Sequence, residues 1–385
     1  MTIRVLSIIG TRPEAIKMAP VIKALAASPA VEGVVCATGQ HRQMLDQVLE
    51  IFAIRPDHDL DVMQVGHTLN SLASRIFEKI DGLYTKLAPD VVLVHGDTTT
   101  AMAAALAAFH KGIAVGHVEA GLRTYDMQRP FPEELNRRAI DLVAKHLYAP
   151  TESSRRNLLQ EHLVSDRILV TGNTVIDALL QTVERIHGDA ALRVRLDKSF
   201  EFIDRSRRLL LVTGHRRESF GGGFERICDA LARLGQRGDL EIVYPVHLNP
   251  NVDTVVRERL GGAKNIHLIA PVDYLSFMYL LDRAEAILTD SGGVQEEAAA
   301  LGKRVVIMRE VTERPEGVEA GLAELVGTDP DLICTAVERA LAGAHAQAKL
   351  RQIGRTLYGD GQAAMRILGD LAGEAGQRAV KDLAS

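Results

Sequence analysis

Asp97, Glu119, Glu133 and His215 are side chains of the types that most often move protons in enzymes, and each lies downstream of an apolar run. The run Pro89-Asp90-Val91-Val92-Leu93-Val94 breaks into His95-Gly96-Asp97-Thr98-Thr99-Thr100, followed by an alanine-rich helical stretch. Residues 113–118 form the next run, which ends in Glu119-Ala120-Gly121-Leu122-Arg123-Thr124. Parallel sheets place their chemistry at such carboxyl ends of strands, so two successive strand ends deliver acids to one sheet edge. His215 follows a matching run in the second half of the chain, and the expectation is a cleft between two α/β lobes.

Three segments have the makings of anion sites. In Ile287-Leu288-Thr289-Asp290-Ser291-Gly292-Gly293-Val294-Gln295-Glu296-Glu297 a strand ends, two glycines admit a ligand to the backbone, and a helix starts with outward amide donors. Glu296 or Glu297, one turn inside, could accept hydrogen bonds from a ribose; an ordinary Ser-Gly-Gly helix cap with solvated glutamates fits the same residues. Gly10-Thr11-Arg12-Pro13-Glu14 closes the first strand with Pro13 suited to a first helical turn and Arg12 and Lys17 near the helix start, although Arg12 could equally be a surface cation. Gly214-His215-Arg216-Arg217-Glu218-Ser219-Phe220-Gly221-Gly222-Gly223 closes the first strand of the second half, and its glycines suit a loop that moves on binding. Neither GxGxxG nor a Walker lysine is present, which disfavours a nicotinamide cofactor or ATP. His95 with Asp97, and His117 with Glu119, stand two apart on extended segments and could in principle hold zinc or manganese. Histidines of buried strands more often bond to backbone, and neither a metal nor a cofactor is expected.

The elements that must position these groups alternate from end to end. Residues 4–9, 31–38, 91–95, 113–118, 147–149 and 168–170 read as strands separated by helices; after a charged, poorly patterned stretch at 187–208 the alternation restarts at 209–213, 242–246, 266–269, 286–289 and 305–308. Strands spaced by helices imply parallel sheets with right-handed crossovers, hence two doubly wound α/β lobes. The first is expected over 1–172 and the second over 173–360, with a last helix in 361–385 crossing back to the first. At 385 residues the chain exceeds what one core usually sustains. Apolar residues make up 46% and charged residues 25%, which leaves no room for extensive disorder. The net charge of -5, without a polybasic tract, argues against nucleic acid or an anionic membrane as main partner. Met1-Thr2-Ile3-Arg4-Val5-Leu6 enters a strand without the pattern of a signal peptide, no apolar stretch is long enough to span a bilayer, and Cys36, Cys228 and Cys334 lack CxxC spacing, so a cytoplasmic protein with reduced core thiols is expected.

Taken in order, Gly10-Thr11-Arg12-Pro13-Glu14, His95-Gly96-Asp97-Thr98-Thr99, His117-Val118-Glu119-Ala120-Gly121-Leu122-Arg123, Gly214-His215-Arg216-Arg217-Glu218 and Asp290-Ser291-Gly292-Gly293-Val294-Gln295-Glu296-Glu297 resemble the non-hydrolysing UDP-N-acetylglucosamine 2-epimerases, over about residues 3–365. The resemblance implies two Rossmann-like lobes of the GT-B-like glycosyltransferase type with the active site in the interdomain cleft, a homodimer, and no cofactor. It implies UDP-N-acetylglucosamine and UDP-N-acetylmannosamine as substrate and product, supplying activated mannosamine for surface polysaccharide synthesis. By position it assigns catalysis to Asp97, Glu119, Glu133 and His215. UDP-sugar binding falls to Arg12, Lys17, Phe277, Ser291, Gly292, Gly293, Glu297 and Arg314, with Glu297 on the ribose and Ser291 and Gly293 on the diphosphate. Gln40, Gln43, Arg75, Arg216 and His247 match a second, activating UDP-N-acetylglucosamine site; the bland reading of 40–43 is a surface helix start. Two positions depart from the pattern. Val272 stands where glutamine is frequent, and Arg129 stands where a small residue is common, which leaves room for a UDP-diacetamidouronate substrate.

The chemistry fits these residue types. The C2 proton of the sugar is weakly acidic until the anomeric bond to UDP starts to break; elimination then gives a glucal, and re-addition of UDP with protonation on the opposite face gives the epimer. Two faces need two proton-transfer groups, which the three carboxylates supply without fixing which serves which face. Arg12 and the helix start at Ser291 would stabilise the leaving diphosphate, with His215 as donor or hydrogen-bond partner to it. Away from the resemblance, Glu133 also reads as a helix-start acid paired with Arg137 at i,i+4. A two-lobed glycosyltransferase would use the same cradle but leaves three acids unexplained, and a UDP-sugar sensor would show no turnover.

Overall fold

Central strands rich in Val, Ile and Leu on both faces can be covered only from both sides, which is the pattern of a parallel sheet inside helices. The computed structural model of the chain describes residues 2–39, 42–63, 66, 68–214, 216, 221–312, 314–343 and 347–383, with side chains excluded at 42–44, 251 and 374–383. It divides into two units, Met1–Ala178 with Gly359–Ser385, and Leu179–Tyr358.

In the first unit the strands are β1 (Ile3–Ile9), β2 (Val31–Ala37), β3 (His58–Asp59), β4 (Val91–His95), β5 (Ala114–Val118), β6 (His146–Ala149) and β7 (Ile168–Val170). Around them run α1 (Arg12–Ala27), α2 (Arg42–Ile51), α3 (Leu69–Leu87), α4 (Thr99–His110), α5 (Glu133–Val143), α6 (Glu152–Gln160) and the start of α7 (Thr174–Gly188). The sheet is parallel in the order β3-β2-β1-β4-β5-β6-β7. All of β4 is buried. Above it α4 packs between α3 and α5 through alanines, Ala103, Ala104 and Ala105 being fully buried; side chains this small bring the backbones close.

The second unit contains α8 (Ala190–Ser199), β8 (Arg208–Thr213), α9 (Gly222–Leu234), β9 (Leu240–Pro245), α10 (Pro250–Leu260), β10 (Ile266–Ile269), α11 (Tyr274–Arg283), β11 (Ala286–Thr289), α12 (Gly292–Ala300), β12 (Arg304–Ile307), α13 (Pro315–Glu319), β13 (Ala323–Leu325), α14 (Pro330–Ala342) and α15 (Gln347–Tyr358). Its sheet, also parallel, runs β10-β9-β8-β11-β12-β13. Both orders start from a central strand, wind one way and then return to its other side, as in a Rossmann fold. Each sheet therefore has a switch point, between β1 and β4 and between β8 and β11.

Four features differ from the sequence reading. The edge strands β3 and β13 were not expected, and α8 occupies the stretch read as poorly patterned, started by Asp189, whose carboxylate accepts from Leu192 N–H at 2.9 Å. The units part between Ala178 and Leu179, inside the continuous helix α7, rather than at 172. The last helix, α16 (Ala363–Leu383), starts two residues after 361 and packs on α1. Its first turn is held by Asp177 of α7, which accepts from Ala364 N–H at 2.9 Å and Ala363 N–H at 3.3 Å. Among the described residues no helix is long and apolar enough to cross a membrane. All three cysteines are buried free thiols.

Candidate active site residues

At the first switch point the chain leaves β1 through Gly10 and Thr11 and enters α1 at Arg12. Thr11 and Glu14 form a capping box: the Glu14 carboxylate accepts from Thr11 N–H at 2.6 Å and Gly10 N–H at 2.8 Å, and Thr98 Oγ1 donates to its other oxygen at 2.5 Å. Burial raises the Glu14 carboxyl above its ordinary range, with those three hydrogen bonds acting against the rise. Glu14 thus ties the loop after β1 to the loop after β4. Arg12 is half-buried at the first helical position, and Lys17 lies one turn further along.

Asp97 and Glu119 follow the adjacent strands β4 and β5. Glu119 takes φ = 72°, a left-handed conformation that costs a non-glycine residue about 1–3 kcal/mol and recurs at functional sites. Its N–H and that of Ala120 both donate to Tyr148 O at 3.1 Å, which fixes the turn. One Glu119 oxygen forms an ion pair with Lys17, and Asn173 Nδ2 lies 3.4 Å from the same oxygen. Glu119 Oε2 lies 3.6 Å from Nε2 of His95, whose side chain is 3% exposed. Asp97 forms an ion pair with Arg137, and its backbone carbonyl accepts from Asn136 Nδ2 at 2.8 Å. The two carboxylates are therefore held by different cations on different helices.

Glu133 opens α5, and its Oε2 is buried without a hydrogen-bond partner among the described residues. The local pairing of Glu133 with Arg137 does not form; Arg137 turns to Asp97 and to Glu134 Oε2, 3.4 Å away. Of the paired histidines and acids weighed as metal ligands, His117 is engaged on both ring nitrogens, by Asp141 at 2.6 Å and Gly96 O at 2.8 Å. Burial would raise Asp141, but the charges and hydrogen bonds of His117 and Arg123 outweigh it and hold the carboxyl below its ordinary range. Arg129 is exposed, 4.0 Å from Asp126.

The second switch point joins the ends of β8 and β11. Arg216 N–H donates to Asp290 at 2.8 Å, and Thr213 and Thr289 share a hydroxyl hydrogen bond at 2.6 Å. Ser291 caps α12 with extended backbone but no side-chain cap bond, its own N–H donating to Thr289 Oγ1 at 3.0 Å. The Ser291 hydroxyl thus leaves the start of α12 uncapped, and an uncapped helix start favours an anion. A Cβ built on Gly293 would meet nothing within 4 Å. Glu297 is buried on the next turn, and Arg314 forms an ion pair with the buried Glu296. Phe277 is half-buried in the first turn of α11, and His247 is exposed after β9, its Nδ1 accepting from Asn249 N–H at 3.1 Å. Arg75 is half-buried on α3. His215, Gln40 and the side chain of Gln43 lie outside the described residues.

Sequence reasoning did not single out Asn136, Asn173 or Glu14, and it named Arg137 only as a local partner for Glu133. Only Glu14 had a local signal, the Thr-x-x-Glu spacing of a capping box at Thr11.

The family model for UDP-N-acetylglucosamine 2-epimerase matches residues 23–372. A UDP-N-acetylglucosamine 2-epimerase of Yersinia pestis is 53% identical over 366 residues, 95% of this chain and 97% of that protein. The one of Escherichia coli strain K12 is likewise 53% identical over 366 residues, with the same coverage. The crystal structure of UDP-GlcNAc 2-epimerase from Neisseria meningitidis bound to UDP-GlcNAc is 43% identical, covers 96% of this chain and 99% of its own, and superposes with a TM-score of 0.87. Paired Rossmann-like units and these relatives define an isomerase. The chain belongs to the UDP-N-acetylglucosamine 2-epimerase family.

Proposed function

We propose that the chain interconverts UDP-N-acetylglucosamine and UDP-N-acetylmannosamine at sugar carbon 2, by elimination of UDP to a 2-acetamidoglucal and re-addition. The observation that carries this reading is the pair of carboxylates at adjacent strand ends, Asp97 on Arg137 and Glu119 on Lys17. A reaction that removes a proton from one face of a carbon and returns it to the other needs two such groups. Glu133, with a buried oxygen that lacks a partner, is a third proton-transfer candidate. In the Leu179–Tyr358 unit, Ser291, Gly292 and Gly293 receive the diphosphate at the start of α12, Glu297 takes the ribose, and Arg314 and Phe277 complete the binding set. Arg12 and His215 stabilise UDP as it leaves.

The active form is a cytoplasmic homodimer, and Gln40, Gln43, Arg75, Arg216 and His247 form a second, activating site for UDP-N-acetylglucosamine. Its test is the initial velocity with pure UDP-N-acetylmannosamine: a lag that a trace of the glucosamine nucleotide removes supports the site, and full initial velocity removes it.

Incubation with UDP-N-acetylglucosamine in deuterated water, followed by NMR, tests the reaction itself. UDP-N-acetylmannosamine deuterated at carbon 2 is expected. Epimer without solvent deuterium would exclude the elimination route, and free sugar plus UDP as the sole products would exclude the epimerase.

A further inference from the structure

His95 is the last residue of β4, two before Asp97, and the reaction as described leaves it unused. Its side chain is 3% exposed, yet neither Nδ1 nor Nε2 has a hydrogen-bond partner among the described residues. Most buried polar groups are paired, so an imidazole with two orphaned nitrogens beside a working carboxylate calls for an explanation. Among the described residues, the charged and titratable groups that act on it most are Glu119 after β5, Lys17 on α1 and His117 within β5. Glu119 is the nearest acid, 3.6 Å from Nε2, too far for a hydrogen bond. Lys17 holds the opposite carboxylate oxygen. Both ring nitrogens of His117 are taken up by Asp141 and Gly96, which leaves neither to bond His95.

From this placement we infer that His95 is a positioning residue that receives the hydrogen bond of Glu119 whenever Glu119 carries a proton. With Glu119 ionised, its charge rests on Lys17 and the imidazole stands idle. With Glu119 protonated, the ion pair to Lys17 weakens to a charge–dipole contact, and Oε2–H turns to the lone pair of Nε2. The ring does this as the neutral Nδ1–H tautomer. No bond to His95 forms or breaks, and the proton stays on the carboxyl until it passes to carbon or solvent. Burial keeps the ring neutral, pushing it down to about 3 against the opposing pull of Glu119. A cationic histidine here would compete with Lys17 for the carboxylate and hold Glu119 ionised. A neutral one lets the same carboxyl serve as base in one direction and acid in the other.

The inference rests on the epimerase reading, and full-length protein separates the two. Wild type, His95→Phe and His95→Gln are compared for kcat, KM and the pH profile of kcat. His95→Phe is expected to lower kcat by roughly 10- to 100-fold. KM should hardly change, and the limb reporting Glu119 should move to lower pH, because the protonated carboxyl has lost its acceptor. His95→Gln keeps an acceptor near the position of Nε2 and should recover most of kcat and the original limb. Wild-type kcat and profile in His95→Phe overturn the inference, as does a His95→Gln variant equally slow with KM raised in parallel. Histidine ¹⁵N NMR on the wild type gives a check independent of any variant: the Nδ1–H tautomer should persist to about pH 5, and a cationic His95 ring above that pH overturns the assignment. A wild-type protein that makes no epimer at all would instead bring down the epimerase reading, and this inference with it.

Discussion

Thr98 Oγ1 donates a 2.5 Å hydrogen bond to Glu14, so one buried carboxylate joins the loop before Arg12 to the loop that carries Asp97. Replacing Glu14 with alanine leaves two backbone N–H groups and a hydroxyl without their acceptor. The expected cost is about 2–4 kcal/mol of stability, read from denaturant unfolding, together with reduced turnover. Glu14→Gln retains one oxygen for the N–H pair and an amide that the threonine hydroxyl can accept from, and should lose about 1 kcal/mol. Equal stability of Glu14→Ala and wild type would show that the bridge contributes nothing.

Glu119→Gln and Asp97→Asn preserve size and remove proton-transfer capacity. Each should lower kcat by roughly 10²- to 10⁴-fold while UDP binding, measured by calorimetry, stays close to wild type. Near wild-type turnover in both variants would refute the assignment of these carboxylates.

Gly293→Ala separates folding from binding at the start of α12. The added methyl meets no atom within 4 Å, and alanine favours a helix by up to about 1 kcal/mol over glycine, so the melting temperature should hold or rise. If UDP approaches the backbone here, its affinity should fall about tenfold or more, since a group at van der Waals distance from the glycine would be displaced. Unchanged UDP affinity would place the diphosphate elsewhere.

The docking of α16 should depend on acid. Asp370 accepts from Tyr148 Oη and pairs with His146 Nδ1, each at 2.9 Å. The His146 hydrogen bond is the largest influence on the Asp370 carboxyl and holds it below its ordinary value of 3.8, with burial opposing. A depressed carboxyl contributes stability above its unfolded value and loses it as pH falls through the folded one. Asp370→Asn should therefore speed hydrogen exchange in α16 at neutral pH, by the equivalent of less than about 1 kcal/mol because the side chain is 36% exposed. The gap from wild type should close as the pH is taken below 3.8 through the depressed folded value. A gap independent of pH would mean that the ionised carboxylate is not what fastens the helix.

The doubly wound architecture was legible because each central strand is an apolar run and each crossover helix a periodic one. β3 and β13 were not, since His58–Asp59 and Ala323–Leu325 are short edge strands that carry polar residues and bury little. Within α8 the charges of Arg193, Arg195, Asp197 and Lys198 obscure a helix that buries only Leu192 and Leu196. At the site, Asp97 and Glu119 were readable because strand ends are marked in sequence. Their cations were not: Lys17 lies 102 residues from Glu119 and Arg137 lies 40 from Asp97, distances that only the winding of the sheet closes. For Arg137 the local rule named the wrong acid, because Asp97, half-buried and held through its own carbonyl by Asn136, offers a better-defined partner than a neighbour on its own helix.

In chain order the second unit is an insertion into the first, and Asp177 holds the first turn of α16 where the chain comes back. The chain departs through α7 and re-enters at Gly359, and one side chain clasps the two crossings together. Residues 179–358 could thus be swapped for the matching piece of a relative as a single cassette, with the host's two ends already fastened side by side.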